Sequence, residues 1–407
     1  MAPISSFASV CAELDRRRFV TMGLERVERL LSLLGDPQEE LRVVQVVGTN
    51  GKGTTAVALA AALSGSGQSA GVYLSPHVLS YTERVMLGGG FVSEERFARA
   101  MRLAIEVSDR HGVEASQFEL LTAGALKLFA EEGLDWAVLE AGLGARYDAT
   151  TGARPEAVVL TNVGLDHAEY LGDTVGEISH EKLASVSPSS VLILGTDDPV
   201  VLGIARERCA EVGASLVQAA FVGEREPFPG LPPFVSRDAA LGLRAAEELL
   251  GERLDVGARE RVARAAVGTL PGRFEAHEVG GVPVVVDGGH NASGVGAALE
   301  AVRAAYGGRP LAVVFGVLRD KDARSMLTAL SAAARTVVLT RPEGERAAGP
   351  EDISRGHEDV KGEGTLNEDD PVEAVRLAVR SVAGEGGVVL VVGSFATAAP
   401  VLRWLRG

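Results

Sequence analysis

Eight consecutive residues, Gly48-Thr49-Asn50-Gly51-Lys52-Gly53-Thr54-Thr55, have the make-up of a loop that holds phosphate. Glycines let such a backbone turn its N–H groups onto an anion, and a helix starting there adds the positive end of its dipole. Lys52 is placed to reach a β- or γ-phosphate, and the hydroxyl of Thr54 or Thr55 to bind phosphate or Mg²⁺. The strict phosphate-loop spacing asks for glycine six residues before the lysine, where this chain has Val46. An ordinary glycine-rich turn is therefore the competing reading.

Three further positions have chemistry to offer. Glu140 ends the apolar run Trp136–Leu139, and an acid at the carboxyl end of a parallel strand beside a phosphate loop is where Mg²⁺ is commonly held; a helix cap is the alternative. Asp166-His167 follows another apolar run, so His167 is either a second metal ligand or structural. Lys182 lies in a helical stretch, where a solvated lysine is the ordinary reading. Composition shifts that balance: only five residues are lysine (Lys52, Lys127, Lys182, Lys321, Lys361) against 35 arginines. In such a chain a retained lysine points to a site needing an amine that can become neutral and nucleophilic, which a guanidinium cannot. In the second half, Pro271–Glu275, Asp287–Asn291 and Asp320–Asp322 fall at strand edges; each alone reads as a turn, and together they describe one functional face.

These groups need a frame to position them. Helical spacing at 24–34 ends at Gly35-Asp36-Pro37; a β-rich run at 41–47 then leads into the glycine loop and an Ala-rich helix at 56–63. Further strands are expected at Ala70–Leu74, Trp136–Leu139, Ala157–Leu160 and Val191–Leu194, with helices between them. The pattern predicts an α/β fold with a doubly wound, mainly parallel sheet. A proline-rich stretch over 219–236 breaks it. Helices at 238–250 and 258–267 lead to a hinge at 270–273, and alternation restarts with strands at 282–287, 311–317, 336–340 and 387–392 and helices at 294–305, 323–333, 371–382 and 395–405. Two domains follow, 1–270 and 271–407. The acidic segment 343–369 is expected to be mostly exposed.

Bulk numbers narrow the classes. With 46% hydrophobic and 23% charged residues over 407 positions, the chain folds into domains that bury their own cores. A formal net charge of −15 argues against a general nucleic-acid binder, which needs a basic face. Cys11 and Cys209 are too few and too far apart for a zinc or disulfide framework. No run reaches the ~18–20 apolar residues of a membrane span, and no secretion signal opens the chain. A cytoplasmic monomer without nucleic-acid or membrane partners is the expectation.

The motifs GLERV, VVGTNGKGTT, YLSPHVLSYTERV, LEAGLGARYDAT, TNVGLDH, EYLGDT, EK, LPGRFE, DGGHN, VFGVLRDKD and VVGSF occur in this order from about residue 19 to the C-terminus. Their combination resembles the folylpolyglutamate synthase / dihydrofolate synthase family of the Mur ligase superfamily. That resemblance implies a Mur-type central domain with a phosphate loop, followed by a C-terminal Rossmann-like α/β domain. It implies an ATP-dependent ligase: a carboxylate of dihydropteroate or folate (tetrahydrofolate) is phosphorylated, and the amine of L-glutamate attacks the acyl phosphate. Gly48, Thr49, Asn50, Gly51, Lys52, Gly53 and Thr54 would hold ATP phosphates, with Arg273 and Asp287 contacting ATP from the second domain. Ser75 and Glu140 would hold one Mg²⁺, and His167 and a carbamylated Lys182 would attend a second. Phe118, Glu119, Leu120 and Leu121, with Tyr147, Asp148 and Ala149, match stretches lining a pterin site, as does Phe19–Met22.

The chain departs from the family pattern at several points. EKAGIIK is EKLASVS here, DATN is DATT at Thr151, DGAHNP is DGGHNA, and an Asn that contacts ATP in the family is Asp238. No core catalytic group is lost. The competing functions are a Mur-type ligase acting on a UDP-linked cell-wall precursor and a nucleotide-binding regulator without chemistry.

Overall fold

The computed structural model describes residues 6–19, 22–219, 228–360, 362 and 364–407. The chain divides into two compact units: Met1–Pro229 with Val235–Thr269, and Gly230–Phe234 with Leu270–Gly407.

The first unit is built on eight strands: β1 (Arg42–Val47), β2 (Ala70–Tyr73), β3 (Val85–Leu87), β4 (Gly90–Phe91), β5 (Trp136–Glu140), β6 (Ala157–Leu160), β7 (Val191–Leu194) and β8 (Ser215–Gln218). Their order across the sheet is β4-β3-β2-β5-β1-β6-β7-β8. All neighbours are parallel except the β2–β3 and β3–β4 pairs. The central strands β1, β5 and β6 are buried almost end to end, because helices cover both faces, which is why they read as continuous Val/Leu/Ala runs. Parallel pairing has one consequence that matters for chemistry. The carboxyl ends of β1, β2, β5 and β6 share one edge, bringing together Gly48, Ser75, Glu140 and the Thr161–His167 segment.

The second unit has its own six-stranded sheet: β9 (Glu275–Val279), β10 (Val282–Val286), β11 (Leu311–Phe315), β12 (Thr336–Leu339), β13 (Thr365–Asn367) and β14 (Val388–Val392), ordered β13-β12-β11-β14-β10-β9. Only β9 is antiparallel to its neighbour. Its core is mainly aliphatic around the buried ring of Phe315, with Val313, Leu339 and Leu390 among its members.

The structure adds strands β3, β4, β8, β9 and β13 to those expected and refines the expectations elsewhere. The helix after the glycine loop spans Lys52–Gly65, so it begins at Lys52 itself and carries Thr54 and Thr55 in its first turn. The helix expected at 238–250 begins at Pro233, inside the proline-rich stretch, since proline fits a first turn that has no use for its missing N–H. Among the described residues the acidic segment 343–369 is mostly exposed, as expected, but it also carries a helix, Pro350–Gly356, and the edge strand β13, with Ala347, Ala348 and Ile353 buried. Among the described residues no helix is long and apolar enough to cross a membrane.

Candidate active site

The glycine loop leaves β1 with two backbone conformations that side chains resist. Gly48 has φ +148° and Gly51 φ +81°. A Cβ at 48 would lie 1.8 Å from Thr161 Oγ1, and one at 51 would lie 2.3 Å from Asp238 Oδ1. Gly51 faces helix Pro233–Leu250, and Gly48 lies close to Thr161 because the loop is laced to the segment after β6. The Thr49 N–H donates to the Asn162 carbonyl (2.9 Å), the Asn50 N–H to Asn162 Oδ1 (3.1 Å), and Asn162 Nδ2 back to the Asn50 carbonyl (3.0 Å). Thr161 Oγ1 donates to the same carbonyl (2.7 Å). Thr49 Oγ1 donates to the Gly164 carbonyl and accepts its N–H. A loop pinned on one side in this way presents a fixed concave backbone on the other.

Helix Lys52–Gly65 opens directly from this loop, and its N-cap, Gly51, supplies no side-chain acceptor. A helix start of this kind is completed by an anion. Lys52 Nζ folds back to donate to the Thr49 carbonyl (3.2 Å). Thr55 Oγ1 donates to the Asp238 carbonyl (3.2 Å), which leaves Thr54 as the hydroxyl for a phosphate or its counter-ion. The cradle therefore fits the triphosphate of a nucleotide.

Lys182 closes the same loop from behind. It is the last residue of helix Val175–Lys182, is buried, and its Nζ donates to the Gly48 carbonyl at 2.9 Å. Burial, aided by the charge of Lys52, pushes the ammonium down from its ordinary value to about 7, while Asp166 and Asp148 pull the other way. The amine is thus neutral in a substantial fraction of molecules near pH 7, the state in which it is a nucleophile. Glu140, the buried last residue of β5, accepts the Ser75 N–H at 2.9 Å, so those two stand together at the sheet edge. His167 adopts φ +53°, a left-handed conformation costing a non-glycine residue about 1 kcal/mol or more. Its N–H donates to Asp166 Oδ1 (3.0 Å) and its ring is part exposed. Among the described residues no three His, Cys, Asp or Glu side chains gather into a ready-made metal cluster. The Ser75 hydroxyl and the Glu140 carboxylate at this edge are hard oxygen donors that suit Mg²⁺ sharing phosphate oxygens, whereas the imidazole of His167 is a borderline nitrogen donor.

The residues matched to a substrate site fall into two groups. Leu120, Leu121 and Ala149 pack in the core. Glu119 is spent locally: Oε2 accepts the Ser116 N–H (2.7 Å) in a capping box, and Oε1 accepts from Arg26 (3.1 Å). Phe118 and Tyr147 keep surface. Phe118 lies 5.6 Å from the Tyr73 ring, centroid to centroid, and against Gly142, while Tyr147 is 46% exposed. Phe19 and Met22 are exposed, whereas Val20 and Thr21 lie outside the described residues. A tether behind Phe118 has no signature in the sequence. Tyr81 Oη donates to Asp15 Oδ1 and accepts from Gln117 Nε2, each at 2.5 Å, joining the N-terminal helix, the Ser75–Arg84 loop and the start of the Phe118 helix. No local signal marks these three as partners, because they are 36 or more residues apart in sequence. Thr161 and Asn162 lie in the TNVGLDH motif, where the available cue is rarity: the chain has only four asparagines, Asn50, Asn162, Asn291 and Asn367.

Asp148 is fully buried and serves its own loop. Oδ2 accepts the N–H groups of Gly142 (2.8 Å) and Leu143 (3.0 Å), and Oδ1 accepts the N–H and hydroxyl of Thr150. Burial pushes the carboxyl above the ordinary Asp value, opposed by these donors. Asp148→Asn turns an NH₂ group onto two N–H donors and should cost about 2–3 kcal/mol of stability. Urea unfolding measures this, and a loss under about 0.5 kcal/mol would mean that the loop does not depend on the carboxylate.

In the second unit, Asp287 follows β10 and is buried. Its carboxylate accepts the N–H groups of Phe274 (2.9 Å) and Gly289 (2.8 Å); burial pushes its carboxyl up, and Arg273 and these donors oppose that. Arg273 lies over the ring of Phe395.

Two family models match: the Mur ligase middle domain over residues 46–220 and the Mur ligase, glutamate ligase domain over residues 272–395. The chain is 32% identical to the dihydrofolate synthase/folylpolyglutamate synthase of Escherichia coli, covering 99% of this chain and 95% of that one. Among solved structures it resembles Mycobacterium tuberculosis folylpolyglutamate synthase complexed with ADP, with TM-score 0.89, 27% identity and 99% of each chain covered. It also resembles the bifunctional folylpolyglutamate synthase/dihydrofolate synthase of Yersinia pestis with Mn, AMPPNP and L-glutamate bound, with TM-score 0.86, 30% identity, and 99% and 98% covered. A glycine loop closed by a buried lysine, at the edge of a sheet followed by a second α/β unit, is thus found in a chain that belongs to the dihydrofolate synthase/folylpolyglutamate synthase family of Mur ligases.

Proposed function

We propose that this chain is an ATP-dependent ligase that joins L-glutamate to the carboxylate of dihydropteroate and to that of a folate such as tetrahydrofolate. The observation that carries the reading is Lys182 Nζ on the Gly48 carbonyl, which ties an amine with a pKa near 7 to the phosphate loop. In the first step a carboxylate oxygen attacks the γ-phosphorus, and the bond to the ADP oxygen breaks. In the second the glutamate amine attacks the acyl carbon, inorganic phosphate leaves, and the nitrogen loses a proton.

The chain's residues divide this work. Loop 48–54 and Lys52 cradle the phosphates and stabilise charge on the transferring group. Ser75 and Glu140 would hold one Mg²⁺, and His167 with a carbamylated Lys182 a second; bound there, the cations neutralise phosphate charge. Phe118 and Tyr147 supply apolar surface for a pterin ring. Arg273 and Asp287 of the 271–407 domain contact the nucleotide. We further infer that the enzyme works as a monomer in the cytoplasm, with the 1–270 domain carrying ATP and folate.

The test is ADP release. Release should require Mg²⁺, L-glutamate and a pterin substrate together, and should be seen with dihydropteroate and with tetrahydrofolate in parallel assays. Failure of every pterin substrate to raise ADP release above the ATP-only rate would sink the reading. Activity with one pterin alone would reduce it to a monofunctional enzyme.

A further inference from the structure

Three motif segments of the second unit end at one place. β10 and β14 are parallel neighbours, so their carboxyl ends leave side by side. The Asp287 N–H donates to the Val391 carbonyl (2.9 Å), the Gly393 N–H to the Gly289 carbonyl (2.9 Å), and the Gly288 N–H to the Gly272 carbonyl (2.8 Å). Segments 270–275, 287–291 and 391–395 are therefore stitched together by backbone bonds, and Phe395, at the end of the third, sets its ring against residues of the other two. Its backbone is held as the first residue of helix Phe395–Arg406, whose N-cap Ser394 accepts the Thr397 N–H (3.1 Å) and donates to the Gly316 carbonyl (3.2 Å).

The ring of Phe395 rests on the backbone of Gly288 so closely that a Cβ there would come within 2.1 Å of Cε1. One neighbour is the Arg273 guanidinium, with Cζ 4.3 Å from the ring centroid. Another is the His290 ring, 6.0 Å away and tilted by 46°. The charge of Arg273 also reaches the buried Asp287 carboxylate. An arginine is long and rotamer-rich; one laid on an aromatic face keeps its charge available while losing most of its freedom.

We propose that Phe395 is a positioning residue for the nucleotide: its ring, seated on Gly288, fixes the Arg273 guanidinium in the orientation that receives ATP. The inference rests on the reading of Arg273 as a nucleotide contact. Aliphatic replacement removes the cation–π face and frees the guanidinium, so Mg·ADP binding should weaken about 3- to 30-fold. KM for ATP should rise by a similar factor, while kcat at saturating ATP stays within about threefold, because the transferring phosphoryl group is held elsewhere.

The experiment is a double-mutant cycle on the full-length chain, with Mg·ADP as titrant and ATP as the varied substrate. Phe395→Leu and Arg273→Ala should each weaken binding, and the double variant should be no more than twofold weaker than Arg273→Ala alone. Phe395→Tyr, which keeps the aromatic face, should bind within about twofold of the wild type. Should the leucine variant fail to fold, Phe395→Met carries the same expectation. Binding by the leucine or methionine variant within twofold of the wild type, while Arg273→Ala binds weakly, overturns the role of Phe395 and leaves that of Arg273 intact. Equal loss from the leucine change with and without Arg273 makes the ring structural and overturns it too. Unchanged binding by Arg273→Ala overturns both.

Discussion

Replacing Lys182 with arginine should lower glutamate ligation by about a thousandfold or more, the scale set by losing a group on which transition-state charge depends. Arginine keeps the positive charge and can still donate to the Gly48 carbonyl, so a lysine present only to brace the loop would tolerate the exchange. Arginine cannot lose its proton at any working pH, and a neutral amine is what adds CO₂ to become an anionic oxygen donor. Lys182→Met removes both charge and amine and should be as inactive, which separates loss of the nucleophile from the strain of a larger side chain. Melting temperature and Mg·ADP binding should be recorded beside turnover; a folded Lys182→Arg protein working at near wild-type rate would rule out the carbamate.

The same burial has a signature in stability. The folded-state pKa of the Lys182 ammonium is lowered from 10.5 to about 7. Between those values the unfolded chain binds more protons at this site than the folded one, so unfolding free energy rises with pH. The penalty for the buried charge is fully present below pH 7 and is gone above about 10.5. Its slope is at most about 1.4 kcal/mol per pH unit. In CO₂-depleted buffer, denaturant unfolding at pH 7 and pH 9 should show the wild type gaining stability relative to Lys182→Met. Parallel curves for the two proteins would count against the depressed pKa.

The central parallel strands are legible because each is a short apolar run bounded by turn residues, and burial on both faces demands such a run; the parallel edge strands β8 and β13, Ser-Leu-Val-Gln and Thr-Leu-Asn, carry no such signal. The strands that escaped notice are short or at an edge. β3 and β4 are three and two residues long, and β9 reads Glu-Ala-His-Glu-Val, a sequence that half-exposed pairing permits but does not announce. The helix start at Lys52 was hidden by glycines, which argue locally for a loop although the first helical turn tolerates them when tertiary contacts fix it. Among site residues, Lys182 was visible through rarity and Glu140 through its place at a strand end. What sequence could not show is commitment. Asp148 and Glu119 look like acids available to a ligand, yet Asp148 spends its oxygens on the N–H groups and hydroxyl of its own loop, and Glu119 divides its pair between the Ser116 N–H and Arg26. The Tyr81 tether depends on side chains far apart in sequence meeting at one oxygen, which no local pattern encodes.

Gly48→Ala should disable nucleotide binding more thoroughly than a single added methyl suggests. At φ +148° an alanine is strained whatever the space around it, and its methyl would sit 1.8 Å from Thr161 Oγ1 and 3.2 Å from the Asn162 carbonyl oxygen. Thr161 must move, and with it goes the bond that holds the Asn50 carbonyl, so the loop loses part of the lacing that fixes its phosphate-facing side. The Gly48 carbonyl, the acceptor for Lys182, shifts as well. Strain and lost bonds together should cost about 2–4 kcal/mol of stability. Mg·ADP affinity should fall at least tenfold, and kcat/KM by about a hundredfold or more, because both the loop and the lysine behind it are displaced. Steric origin can be separated from backbone strain. Thr161→Ala alone removes one hydroxyl and should cost about 1 kcal/mol, yet in the Gly48→Ala background it takes away the colliding atom and should restore part of the lost affinity. The two changes would then couple with a sign opposite to simple addition, which only contact between these side chains produces. Additive losses in the double variant, or Gly48→Ala binding Mg·ADP within twofold of the wild type, would show that the loop does not depend on its closeness to Thr161.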